Sequence, residues 1–308
     1  MASITISKEH AQVIMTSPAL RQPEGARTRA MLRSAGLLNL YRRTEGSPGL
    51  KIALIDGPVR PHSSLAAARV VSSGGVSSAP DSASACHATF LASILAGRGA
   101  GVLGLCPSVT LLSYPAVDDA MLQGTLSPST TATRLAEAVL HAVLSGAGVI
   151  LMSLEFTARR MWHFAPLAAA IRSAACYGVR TVLPAGNTAG LEPSSLLSIP
   201  GVIPVGMVNA AGSPDARCTW GPSIARQGLM APGVDIPGAA TPDGFARRTG
   251  SSYAAAFVTG AFAMVLAATG KPTETVWNAL LRYRLGSSLL SRTVPPPLDV
   301  EQSLWDLT

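Results

Sequence analysis

The sequence predicts a three-layer α/β fold, a doubly wound parallel sheet with helices on both faces. Short apolar runs that end at turn residues alternate with longer segments of helical spacing. Charged residues make up 13% of the 308 residues, about half of the usual ~25%. Strands that crossover helices cover on both faces are apolar throughout, so the low charge fits largely buried elements.

The predicted strands are spaced so that a helix fits between most successive pairs. The strands are Lys51 to Asp56, Val109 to Tyr114, Val149 to Leu154, Val179 to Pro184 and Val202 to Val208. The helices are His87 to Gly97, Pro128 to Gly146, Met161 to Gly178, Ser252 to Thr269 and Pro272 to Leu285. Residues 72–84 are rich in Ser, Gly and Ala, which predicts a loop.

One main domain, residues 49–290, is expected to follow an N-terminal extension of residues 1–48 and to precede a tail of residues 291–308. Seven basic and three acidic side chains give the first fifty residues a charge of +4 out of the formal +7. No helix-turn-helix, zinc finger or aromatic RNA platform accompanies this charge, so nucleic acid is not expected as a partner.

Membrane insertion and secretion are not expected either. The longest apolar run, from Ala254 to Ala268, is shorter than the ~20 residues of a spanning helix and predicts a buried core helix. The start of the sequence has no basic region followed by an apolar one, so cytoplasmic residence is expected. The four cysteines have no metal-ligand spacing. They are expected to be thiols, with a Cys86–Cys106 bridge as the alternative, and no metal or cofactor is expected.

Polar side chains follow three of the predicted strands, namely Asp56, Glu155 and Asn187. Ligands of parallel sheets bind at the carboxyl ends of the strands, so this is where chemistry is expected. His87 opens one predicted helix and Ser252 opens another. A serine hydroxyl needs an imidazole to take its proton, and the imidazole needs a carboxylate to orient it. Asp118 and Asp119 are predicted to lie in a solvated turn.

Five segments in chain order resemble the subtilisin-like serine proteases, peptidase family S8. They are KIALIDGPV, HATFLASILAG, VILMSLE, VLPAGN, and LMAPGVDI followed by TGSSYAAAFVTG. The resemblance implies a subtilisin-like fold, with Asp56, His87 and Ser252 as the catalytic triad and Asn187 as the oxyanion-hole amide. It also implies that Ser153, Leu154, Glu155, Ala185 and Gly186 flank the substrate.

The sequence departs from the family pattern at several of these motifs. Gly57-Pro58 follows the aspartate in place of Ser or Thr and then Gly, and Phe90 stands where the family has a second histidine. Ala256 replaces a proline four residues after the serine. The aspartate and histidine segments resemble the proteases of cyanobactin-type peptide maturation, which cleave ribosomal precursor peptides.

The expected function is therefore that of a serine endopeptidase which processes a peptide or protein substrate, such as a ribosomal precursor peptide. Two alternatives remain open. Ala256 could relax the turn that carries the serine, so that an amine intercepts the acyl-enzyme in a transpeptidase or macrocyclase. The chain could also be a catalytically silent pseudoprotease that binds peptides.

Overall fold

The computed structural model describes residues 25–99, 101–154, 164–191, 196–282 and 293–307. The strands are β1 (Lys51–Asp56), β2 (Arg69–Ser72), β3 (Thr110–Pro115), β4 (Val149–Met152), β5 (Arg180–Pro184), β6 (Gly190–Leu191), β7 (Val202–Val208), β8 (Thr219–Trp220), β9 (Leu229–Pro232), β10 (Ile236–Ala240) and β11 (Gly244–Arg248). The helices are α1 (Gly25–Ser34), α2 (Leu38–Arg43), α3 (Ala83–Ala96), α4 (Asp119–Leu122), α5 (Pro128–Leu144), α6 (Ala165–Cys176), α7 (Pro222–Gln227), α8 (Ser251–Thr269), α9 (Thr273–Arg282) and α10 (Val300–Trp305).

Seven strands form a parallel sheet in the order β2-β3-β1-β4-β5-β7-β9. Helices α3 and α8 pack together and against the sheet, while α5 and α6 pack together and contact β1, β3 and β5. Two layers of helices thus enclose a sheet whose central strands are buried along nearly their whole length. The predicted three-layer α/β fold is confirmed.

Helix α8 is the central apolar helix. By length and composition it could cross a membrane, but 78% of its apolar window is buried within the protein. It contacts β4, β5, β7 and β9 as well as α3. This burial fits the predicted core helix.

Three local differences separate the structure from the expected elements. Helix α3 begins at Ala83, because the Ser82 hydroxyl accepts a hydrogen bond from the Ala85 N–H and caps the helix. Strand β2 lies at the sheet edge with mostly exposed side chains, so it lacks the apolar pattern of the other strands. The antiparallel hairpin of β10 and β11 was also not expected, because β11 is largely exposed and β10 contains Pro237 and Gly238.

Helices α2 and α10, which belong to the first and last described segments, both contact α8. Met31, Leu32 and Leu37 are completely buried in the main core. The backbone of Met230 in β9 donates to Pro296 and accepts from Leu298, which extends the sheet edge.

Candidate active site

The strand register brings three of the predicted site segments to one edge of the sheet. Ile55 of β1 lies beside Met152 of β4, and Leu151 of β4 lies beside Val182 of β5. Because the strands are parallel, the residues that follow β1, β4 and β5 share their carboxyl edge. Asp56, Ser153 and Ala185 therefore emerge together, as the position rule for parallel sheets predicts.

Asp56 and His87 form the most direct contact of the site. His87 Nδ1 lies 3.1 Å from Asp56 Oδ1 and 3.0 Å from Oδ2. The Asp56 side chain is 2% exposed and that of His87 is 25% exposed, so the imidazole reaches solvent from a buried carboxylate. The backbone N–H of Gly57 also donates to Asp56 Oδ1, at 2.7 Å. The carboxylate is thus fixed on one side and orients the imidazole on the other.

Gly57, a departure from the family pattern, has a steric cause. A Cβ at this position would lie 2.3 Å from the carbonyl oxygen of Ser84 in the first turn of α3. A side chain would push away the helix that carries His87. Glycine therefore permits the close approach of β1 and α3 that this structure has.

Burial and two charged neighbours, Asp56 and Arg248, shift the pKa of the His87 imidazole. Burial lowers the pKa of the imidazole, but the negative charge of Asp56 and its hydrogen bond raise the pKa more. The nearby positive charge of Arg248 lowers it. The net pKa of His87 lies above its ordinary value of 6.5.

Ser252 lies in the first turn of α8 and is partly exposed. The N-cap position is Gly250, which has no capping side chain. Within the described part of the chain, the Ser252 hydroxyl makes no hydrogen bond to His87. Contacts between a nucleophile and its base commonly tighten only in the substrate complex.

The side chain of Asn187, which lies just after β5, caps the N-terminus of α8. Its Oδ1 accepts a hydrogen bond from the Ser251 N–H at 2.8 Å, and the Ser251 hydroxyl accepts one from the Gly186 N–H at 3.2 Å. These two bonds join β5 to the N-terminus of α8. With Oδ1 held in this way, the other end of the Asn187 amide is its N–H donor group. Ser251 is a positioning residue that the sequence analysis missed.

The predicted substrate-flanking residues lie around this junction. Ser153 and Ala185 are buried and Leu154 is partly buried. Gly186 has φ of +118°, which side chains disfavour, and its carbonyl accepts from the Thr219 N–H. Glu155 lies outside the described residues.

Asp119 is a further residue that the sequence analysis missed, since its expected role was a solvated turn. Its carboxylate accepts hydrogen bonds from the backbone N–H groups of Ser84, at 3.0 Å, and Ala83, at 3.3 Å. Asp118 is also engaged, because it caps α4 and pairs with Arg134. Asp119 thus holds the N-terminus of the helix that carries His87, and only the tertiary structure brings them together.

Two aromatic rings and a guanidinium lie next to His87. The Tyr253 ring centroid is 6.0 Å from that of His87 and 4.8 Å from that of Phe90. The Arg248 guanidinium lies over the Phe90 ring, 4.9 Å from its centroid. The phenol pKa of Tyr253 is raised by burial, against the opposing effect of Arg248.

Neither a cluster of metal-ligating side chains nor a disulfide bond is found among the described residues. They contain no group of three or more His, Cys, Asp or Glu side chains that could hold a metal ion. All four cysteines lie in this part of the chain, and none forms a disulfide bond. The alternative of a Cys86–Cys106 bridge is therefore not realised. Cys86 Sγ instead lies 2.7 Å from Thr241 Oγ1.

Comparison with known proteins gives one family. A family model described as "Subtilase family" matches residues 47–293. The chain is 30% identical over 197 residues to the Thermophilic serine proteinase of Bacillus sp. (strain AK1), covering 63% of this chain and 45% of that protein. It is 34% identical over 206 residues to Proprotein convertase subtilisin/kexin type 9 of Mus musculus, covering 65% and 27%. The matched region spans less than half of both curated relatives.

Solved structures with the same fold cover more of both chains. The Prenylagaramide maturation protease PagA has a TM-score of 0.72 and 29% identity, covering 89% of this chain and 98% of that one. The Patellamide maturation protease PatA has a TM-score of 0.70 and 27% identity, covering 85% and 98%. The PatG macrocyclase in complex with peptide has a TM-score of 0.74 but 23% identity, covering 89% and 96%, and this likeness shows the fold alone.

Proposed function

The chain belongs to the subtilase family, and from this premise we propose that it is a serine protease whose triad is Asp56, His87 and Ser252. The contact between His87 Nδ1 and the buried Asp56 carboxylate carries the proposal. That contact fixes the imidazole with Nε2 as the atom that can act on substrate. A buried carboxylate paired with a solvent-reaching imidazole is the arrangement that a general base requires.

In the proposed reaction, Ser252 attacks the carbonyl carbon of the peptide bond while His87 Nε2 takes its proton. The tetrahedral oxyanion accepts hydrogen bonds from the Asn187 amide and the Ser252 backbone N–H, which belongs to the first turn of α8. His87 then gives the proton to the leaving amine, and an acyl-enzyme forms on Ser252. Water, activated by the same imidazole, hydrolyses it and regenerates the hydroxyl.

The proposed substrate is a peptide segment, with a ribosomal precursor peptide as the specific case. Two of the solved relatives, PagA and PatA, are described as maturation proteases, which supports this substrate class. Substrate would lie along the ends of β4 and β5, against Ser153, Leu154, Ala185 and Gly186. An extended peptide can pair with the backbone near the end of β4, where Leu154 is partly exposed.

Labelling with a serine-directed fluorophosphonate tests the triad. We expect the wild-type protein to be labelled and Ser252→Ala to remain unlabelled, with intact-mass analysis locating the adduct on Ser252. The control is Ser303→Ala, which changes a buried serine in α10 whose hydroxyl bonds to Asp299. Labelling of both wild type and Ser252→Ala, or of neither, would overturn the assignment.

Labelling, together with a cleavage assay in the presence of an amine, distinguishes the two alternative functions. A pseudoprotease would show no labelling. A transpeptidase would be labelled and, when an intact peptide substrate is cleaved in the presence of an added amine, would transfer the acyl part from Ser252 to that amine and form the amide product. Ala256 is completely buried inside the continuous helix α8, and we expect hydrolysed product only.

A further inference from the structure

Arg248 is a cation at the rim of the site that the reaction described above does not use. It ends strand β11, four residues before Ser252. Its guanidinium stacks on Phe90, and its charge reaches both His87 and Tyr253. The side chain is only partly buried, so a substrate in the site can reach the charge.

Arg248 has no acidic partner within the part of the chain that the structure describes. Its neighbour Arg247 differs in this respect. Arg247 donates to the Asp235 carbonyl at 2.9 Å and lies 3.8 Å from the Asp235 carboxylate. Stacking uses only the face of the planar guanidinium, and the contact with the Tyr253 hydroxyl engages only part of its edge, so other N–H donors of the five can bind a carboxylate.

The position of Arg248 assigns it to one side of the bond that is cut. The acyl part of the substrate meets the ends of β4 and β5 and the Asn187 amide. The leaving part receives its proton from His87, so it passes on the side of Ser252 where His87 lies. Phe90 belongs to the helix of His87, and the Tyr253 ring lies next to the rings of both His87 and Phe90. Arg248, stacked on Phe90, therefore faces the leaving part.

We propose that Arg248 is a specificity-determining residue that binds a carboxylate in the leaving part of the peptide, within the first few residues after the cut. This inference rests on the proposed protease function. Phe90 and Tyr253 hold the guanidinium in place and position the carboxylate. The formal charge of +7 on the protein adds a general attraction for an acidic substrate.

Peptide cleavage profiling tests the inference. The wild-type protein is incubated with a mixture of proteome-derived peptides, and the new termini are identified by mass spectrometry. One peptide that the protein cleaves in this mixture is then synthesised in three intact forms. One has Asp at the preferred position after the cut and a C-terminal amide, the second has Asn and the amide, and the third has Asn and a free C-terminal carboxylate. Comparison of the first form with the second isolates the effect of a side-chain carboxylate. Comparison of the third form with the second isolates the effect of a terminal carboxylate.

For wild type we expect kcat/KM for a carboxylate form to exceed that of the neutral Asn amide by about fivefold, the size of a partly exposed charge contact. Arg248→Gln should reduce this ratio to about 1, and Arg248→Lys should retain part of it. Arg247→Gln, the matched control on the same strand, should leave it unchanged. Arg248→Glu should shift the profile toward Lys and Arg after the cut.

The outcomes separate this inference from the protease function. Fluorophosphonate labelling with no preference for a carboxylate, or a preference that survives in Arg248→Gln, overturns the role of Arg248 alone. Labelling without cleavage of any peptide also counts against it, because the mixture offers acidic residues at every position. Absence of both labelling and cleavage overturns the proposed function, and the role of Arg248 with it.

Discussion

The side-chain oxygen of Asn187 accepts a hydrogen bond from the backbone N–H of Ser251 at 2.8 Å. One amide group therefore has two tasks at its two ends. Its oxygen caps the helix that carries Ser252, and its N–H group is the proposed oxyanion donor. Substitutions can separate these tasks.

Asn187→Ala and Asn187→Asp should both lower activity but should differ in their effects on stability. Both remove the amide donor, so kcat should fall about 100- to 1,000-fold in Asn187→Ala and at least as far in Asn187→Asp, whose carboxylate repels the oxyanion. Asp keeps an acceptor for the Ser251 N–H, whereas Ala leaves the helix uncapped at a cost of about 1 kcal/mol. Steady-state kinetics with a peptide that the protein cleaves measures the loss of activity, and urea unfolding measures the loss of stability. Near-wild-type kcat in Asn187→Asp would contradict the proposed donor role.

The pH dependence of activity should follow the raised pKa of His87. Only the neutral imidazole can take the proton of Ser252, so kcat/KM should rise with pH through a midpoint above 6.5. Asp56→Asn removes the charge that raises the pKa, while burial and Arg248 continue to lower it. The midpoint should move to lower pH, and kcat should fall by about 10⁴.

Arg248→Gln should shift the pH profile of kcat/KM in the direction opposite to that of Asp56→Asn. It removes a positive charge that lowers the pKa of His87, so the midpoint should move to higher pH than in wild type. Tyr253, whose own pKa is raised, stays neutral throughout this range. A midpoint that does not move in either variant would show that another group controls the rate.

Gly238→Val should destabilise the protein through Phe90. A Cβ at Gly238 would lie 2.7 to 2.8 Å from atoms of the Phe90 ring, which is completely buried. Overpacking of this kind costs about 1–3 kcal/mol, measured by urea unfolding. The double variant Gly238→Val with Phe90→Leu should recover part of the loss. The control is Ser129→Ala, which changes an exposed residue of α5. Gly212→Ala is less suitable, because Gly212 has a positive φ that alanine disfavours.

Asp119→Asn should lower the stability at neutral pH by weakening the cap of α3. Hydrogen bonds from the Ser84 and Ala83 N–H groups hold the pKa of Asp119 below its ordinary 3.8. Its contribution is therefore present above pH 3.8 and is lost as the pH falls through the lowered pKa. The difference in Tm between wild type and variant should shrink over that acidic range. Asp81→Asn, which changes an exposed residue, should leave Tm unchanged at every pH.

Local patterns predicted the parts of the fold that are buried and apolar. Strand β7 has the predicted bounds, and the family resemblance is confirmed by the match to residues 47–293. The hairpin of β10 and β11 was missed because its exposed strand has no apolar alternation. In the site, the contact of Asp119 with Ser84 and that of Asn187 with Ser251 join segments far apart in the sequence. Such contacts depend on how the helices and strands pack, which no local pattern records.

The packing of the first described helices against α10 has a consequence for the order of folding. Asn39 donates a hydrogen bond to Glu301 across 262 residues of sequence, and the Val300 N–H donates to the Ala35 carbonyl. Residues 25–43 are translated early, yet the partners that complete their packing emerge near residue 300. Contacts of such long sequence separation slow folding. During synthesis, the contacts of Ala35 and Asn39 with α10 therefore form only after almost the whole domain has left the ribosome.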